Sequence, residues 1–81
     1  MNVDLKLFSV AKDLAGFDER KIELVDHARA DDVLQYLSQL NPSFGRWERS
    51  LRLAVNLEYV ANDHPLHDGD EVAVIPPVSG G

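Results

Sequence analysis

The sequence contains no cysteine. That removes disulfides, thiolate nucleophiles and cysteine-ligated metal sites together, and it agrees with a reducing compartment. Positive charge is scarce as well: 8 basic residues against 14 acidic ones give a formal net charge of −6. Phosphate backbones and anionic lipid surfaces repel such a chain on average, so nucleic acid and membrane are poor partners. The basic residues are scattered apart from Arg46, Arg49 and Arg52, which read as solubilising charges on a loop. No apolar run approaches the ~20 residues of a membrane span. Met1-Asn2-Val3-Asp4-Leu5-Lys6 lacks the basic stretch and apolar run of a signal peptide, so the expected location is cytoplasmic. A phosphate-binding glycine loop, a Ser/His/Asp set and a carboxylate pair are all missing, and no self-contained catalytic site is expected.

What is present is the material of one small domain. A chain of 81 residues buries only about 60–65% of the surface its unfolded form exposes, so its chemistry is expected at an edge or a terminus. Val3, Leu5 and Leu7 alternate with Asp4, Lys6 and Phe8, the pattern of a strand over Val3 to Ser9. A helical turn over Val10 to Ala15 ends at Gly16, and Lys21 to Val25 alternates again, which predicts an antiparallel hairpin. Asp31 and Asp32 suit a helix N-terminus, where carboxylates oppose the positive dipole end. Val33, Tyr36, Leu37 and Leu40 follow as one apolar stripe, and Asn41-Pro42 stops the helix. Pro42 to Ser50 reads as a loop in which Trp47 caps the core edge. Leu51 to Asn56, Tyr59 to Ala61 and Glu71 to Ile75 read as strands, the last preceded by the turn signal Asp68-Gly69. The order predicts an α+β fold, a mixed sheet covered by one main helix in a β-grasp-like arrangement.

His64 and His67 lie among Asp63, Asp68 and Asp70, but their spacing matches no ligand pattern and they read as turn residues, so no metal site is expected. His27 is a single loop histidine. The end of the chain is more informative. Pro76-Pro77 cannot extend a ladder and stiffens the exit from the last strand, so residues 78–81 are expected to project from a domain spanning 1–77 as a flexible diglycine tail. Extended, those four residues reach roughly 13 Å. Gly80 and Gly81 lack side chains and can thread a channel too narrow for a Cβ, delivering the Gly81 carboxylate into another protein.

Ala54-Val55-Asn56, Val60, Asp63-His64-Pro65-Leu66, Asp68-Gly69-Asp70-Glu71-Val72-Ala73 and Pro76-Pro77-Val78-Ser79-Gly80-Gly81 occur in register. Together they closely resemble the small subunits of molybdopterin synthase; Ala11-Lys12-Asp13-Leu14-Ala15-Gly16 and the helix agree more loosely. The resemblance implies a ubiquitin-like β-grasp fold and a sulfur-carrier cycle. An E1-like enzyme uses ATP and magnesium to adenylate Gly81, and a sulfur donor displaces AMP to leave a thiocarboxylate. The tail, Val78, Ser79 and Gly80 leading Gly81, then enters the large subunit of a heterotetrameric synthase, where sulfur passes to cyclic pyranopterin monophosphate. No cofactor is expected to be bound stably. The chemistry suits the residues: a carboxylate is a poor electrophile, an acyl adenylate a good one, and a chain without cysteine cannot hold sulfur as a persulfide.

Alternation places Phe8 with Asp4 and Lys6, Ile75 with Glu71 and Ala73, and Tyr59 opposite to Val60. These three either fill a minor second core or converge as a docking patch, and the resemblance points to docking. Other readings share the tail: a carrier for thiamine or cysteine synthesis, or a ubiquitin-like modifier forming isopeptide bonds, against which Ser79 before the diglycine argues mildly. A plain binding domain with incidental glycines is the remaining one.

Overall fold

The computed structural model of the chain describes residues 1–47 and 49–76. Among them the elements run β1 (Asn2–Leu7), α1 (Ser9–Ala15), β2 (Glu19–Glu23), α2 (Ala30–Leu40), a 3₁₀ turn (Pro42–Arg46), β3 (Arg52–Val55), β4 (Glu58–Val60) and β5 (Glu71–Ile75). The strands form one mixed sheet in the order β2-β1-β5-β3-β4. β1 and β5 pair in parallel, Asp4 opposite Glu71 and Lys6 opposite Ala73; the other three pairings are antiparallel. This is the β-grasp arrangement that the element order predicts.

Side chains alternate across a strand, and the sheet uses that period to make two unlike faces. Val3, Leu5 and Leu7 of β1, Ile22 of β2, Leu53 and Val55 of β3, and Val72 and Val74 of β5 are buried on one face. They pack against Ala30, Val33, Leu34 and Leu37 of α2, Ala11 of α1, and Phe44, Leu51 and Leu66, forming one core. Trp47 packs against this core from its edge. The segment before β5 is pinned to the start of α2: Ala30 N–H donates to His64 O and Leu66 N–H to Ala28 O, each at 2.9 Å, which carries Leu66 inward.

Several boundaries and one helix face differ from the sequence reading. β1 stops at Leu7, because Phe8 is the N-terminal flank of α1 and Ser9 turns the chain with φ 53°. β2 lies two residues earlier than Lys21 to Val25; the ladder to β1 pairs Glu19 with Lys6 and ends at Glu23 opposite Asn2, and Val25 is exposed. In α2 the buried stripe is Ala30, Val33, Leu34 and Leu37, whereas Tyr36 is half-buried and Leu40 is exposed. The helix is turned toward Ala30 and Leu34, and Leu40 falls in its last turn, where Asn41 leaves helical geometry with φ −151° and the core has ended. Arg52, grouped above with the loop charges Arg46 and Arg49, is the first residue of β3, inside the strand read over Leu51 to Asn56.

Candidate functional site

The sheet face turned away from α2 is short of large side chains at its centre. Ala54 and Ala73 sit opposite each other on β3 and β5, with Tyr59 on β4 and Lys6 on β1 completing the same cross-strand row. Ala54 is 7% exposed although it lies outside the core cluster; it is covered from its own face. Around this alanine floor stand Phe8, Leu57, Tyr59 and Ile75, and with Lys6 and Glu71 they line a shallow concavity of about 270 Å³. The three apolar residues singled out by alternation, Phe8, Tyr59 and Ile75, are thus brought together on one face. Phe8 is 49% exposed and Tyr59 60% exposed, far more than core aromatics tolerate, so they do not fill a second core.

Charge on this face is placed at its borders. Lys6 Nζ lies 2.9 Å from Glu71 Oε1 across the β1–β5 pair. The hydrogen bond and charge of Glu71 hold the Lys6 ammonium above the usual lysine range. On the other side the Arg52 guanidinium stacks over the Tyr59 ring, 4.5 Å from its centroid, which fixes the ring on the face while leaving the cation exposed.

Sequence reasoning missed Leu57, which is 89% exposed and also lines the concavity. It belongs to the two-residue connection between β3 and β4, Asn56 and Leu57, across which Val55 pairs with Glu58. The two-residue spacing between the runs is that of a hairpin, but the expected second residue is glycine, and leucine in its place hid the turn.

The histidines and carboxylates of residues 63–70 build the turn leading into β5. Asp68 Oδ1 accepts Asn2 N–H at 2.7 Å, Gly69 N–H donates to Asn2 O at 2.7 Å with φ 90°, and Asp70 Oδ2 accepts His67 N–H at 2.8 Å. These contacts fasten the start of β5 to β1. β5 is paired on both sides; Ile75 at its far end lies opposite Arg52 of β3 and lines the concavity, and Pro76, buried, follows it. The predicted tail residues Val78, Ser79, Gly80 and Gly81, and Pro77 before them, lie outside the described residues.

The sequence matches the ThiS family over residues 5–81. It is similar to the molybdopterin synthase sulfur carrier subunit of Chlamydomonas reinhardtii, 36% identical with 100% of both chains covered. Among solved structures it is similar to a putative molybdopterin converting factor subunit 1 from Pyrococcus furiosus, with TM-score 0.84, 35% identity, and 96% and 99% of the two chains covered. The small archaeal modifier protein 1 from Methanosarcina acetivorans aligns with TM-score 0.80, 26% identity, and coverage of 99% and 96%. A complex of subunits 1 and 2 of molybdopterin-converting factor from Helicobacter pylori aligns with TM-score 0.67, 27% identity and full coverage of both chains.

Proposed function

The chain belongs to the ThiS family, and from that membership we propose that it is the sulfur-carrier subunit of a molybdopterin synthase, working in the cytoplasm through the carboxylate of Gly81. The observation that carries this reading is the end-to-end similarity to the Chlamydomonas sulfur carrier subunit. In the proposed cycle the Gly81 carboxylate attacks the α-phosphate of ATP on an E1-like enzyme that supplies magnesium, and pyrophosphate leaves. A sulfur donor displaces AMP from the acyl adenylate, leaving a thiocarboxylate whose sulfur is nucleophilic at neutral pH. The tail then threads into the large synthase subunit, and sulfur passes to cyclic pyranopterin monophosphate. A dithiolene needs two sulfurs, so two loaded tails are used per product.

The fold supplies what this cycle requires of a carrier. Phe8, Tyr59 and Ile75 offer the docking surface, and the H. pylori complex of subunits 1 and 2 supports a large-subunit partner. A partner seated on that face lies beside the end of β5, within the roughly 13 Å that four extended residues span. Docking and tail delivery are therefore coupled by one rigid strand.

The test is intact mass after incubation with the activating enzyme, ATP, magnesium and a sulfur donor, beside a chain lacking Gly81. The expected result is a gain equal to one oxygen replaced by sulfur, absent in the truncated chain. No gain with an enzyme proven active on another carrier would reject the reading. The similarity to a small archaeal modifier protein favours a second one, in which the activated tail is transferred to lysine amines. Diglycine remnants on lysines of other proteins, dependent on Gly81, would mark that activity.

A further inference from the structure

Asn56 and Leu57 have φ 51° and 72°. Among the two-residue hairpin connections that match the twist of their strands, the type I′ turn needs positive φ at both positions, and it favours Asn followed by Gly. Asparagine tolerates this region; leucine does not. The turn therefore keeps an unfavourable residue at its second position, and that residue exposes 89% of an apolar side chain. Neither feature helps the isolated fold.

The turn is nevertheless held firmly. Asn56 N–H donates to Glu71 O at 2.9 Å, Asn56 Oδ1 accepts Glu71 N–H at 3.0 Å, and Asn56 Nδ2 donates to Asp70 Oδ1 at 3.0 Å. Asp70 is itself fixed by His67 N–H. The clamp ties the hairpin tip to the start of β5 and fixes Leu57 on the rim of the concavity shared with Phe8, Tyr59 and Ile75. β3 and β5 run antiparallel, Val55 opposite Val72 and Arg52 opposite Ile75, so Leu57 stands at the end of the face remote from the tail exit. From Glu71, bonded to Asn56, to Ile75 is four steps along β5, about 13 Å at ~3.3 Å per residue.

We propose that Leu57 is a partner anchor, presented by a strained turn clamped by Asn56 and Asp70, that sets the orientation in which the large synthase subunit seats on this face. The proposal rests on the docking reading above and adds a second fixed point to it. Contact near Ile75 alone leaves the carrier free to pivot about the tail; contact at Leu57 removes that freedom, so the tail is aimed. The fitting partner surface has an apolar recess for Leu57 and, beside Arg52, a carboxylate: the guanidinium has no carboxylate partner among the described residues and stacks on Tyr59.

The strain makes the test discriminating. Leu57→Gly restores the favoured Asn-Gly turn while deleting the anchor. Kd for the purified large subunit and the thermal midpoint are measured for the full chain, Leu57→Gly and Phe8→Ala. The expected outcome is Leu57→Gly melting at or above the parent while binding about tenfold more weakly, a single apolar side chain being worth roughly that much at an interface. Weaker binding with a lower midpoint would assign Leu57 to the fold and overturn the proposal. Unchanged binding by Leu57→Gly with weakened Phe8→Ala would overturn it while leaving the docking face intact. Unchanged binding by both would remove the docking face as well.

Discussion

Asp70 commits both carboxylate oxygens, Oδ1 to Asn56 Nδ2 at 3.0 Å and Oδ2 to His67 N–H at 2.8 Å. Burial disfavours its charged form, but these two hydrogen bonds, with the charges of His67 and His64, outweigh burial and hold the carboxyl below its usual range. A group depressed in this way stabilises the fold above its unfolded pKa, ~3.9, and the contribution fades as pH falls through the lower folded value. Asp70→Ala removes the acceptor of two hydrogen bonds at exposed donors, which water then takes over, and is expected to lose about 1 kcal/mol at neutral pH. Urea unfolding across a pH series reads this out, and the deficit against the parent should shrink once the medium is acid enough to protonate Asp70 in the folded chain. A deficit constant down to the acid limit would mean that the carboxylate charge plays no part. Lys6 acts on the opposite limb. Its raised pKa adds stability that is present below the unfolded lysine value and lost as pH rises through the folded one, and salt screens so exposed a pair.

At the scale of elements, α2 separates what periodicity can and cannot tell. Leu37 is 0% exposed and Leu34 2% exposed, while Leu40 is 45% exposed. Leu37→Ala and Leu34→Ala are expected to cost about 2–5 kcal/mol each through lost burial and the cavity left behind. Leu40→Ala should cost under ~1 kcal/mol, and thermal or urea unfolding of the three variants decides. Equal losses at Leu34 and Leu40 would restore the stripe read from the sequence. The spacing of Val33, Tyr36, Leu37 and Leu40 identified a helix correctly, because a 3.6-residue period is local. It chose the wrong flank because Ala30 and Leu34 satisfy the same period turned around the axis, and only the sheet decides between them. Strand alternation was more informative: it placed Phe8, Tyr59 and Ile75 on the outer face, since one face of a two-period pattern fixes the other. It missed Leu57 because a left-handed leucine contradicts the glycine or asparagine that turn chemistry predicts. Nor could the sequence show that Arg52 stacks on Tyr59, which depends on β3–β4 register.

At the scale of the molecule, the proposed cycle asks one face and one tail to serve both the activating enzyme and the large subunit. The described chain measures 36 × 24 × 19 Å. In the proposed cycle the activating enzyme takes the tail to adenylate Gly81, and the large subunit takes it to withdraw sulfur. Each would need the concavity of Phe8, Tyr59 and Ile75 next to the strand end, because the tail's roughly 13 Å reach does not allow one partner to hold the face while another holds Gly81. The two are therefore expected to exclude each other, and the cycle turns only if the carrier dissociates between them. In a thiocarboxylation assay, excess large subunit should suppress sulfur loading of the carrier, and excess activating enzyme should relieve the block. Tyr59→Ala, which removes ring area from the shared face but none from the core, should weaken both associations and so relieve the inhibition in the same titration. Loading that proceeds unchanged under saturating large subunit would require a ternary complex, and the tail would then have to be reached from a side of the sheet other than the one that carries Ile75.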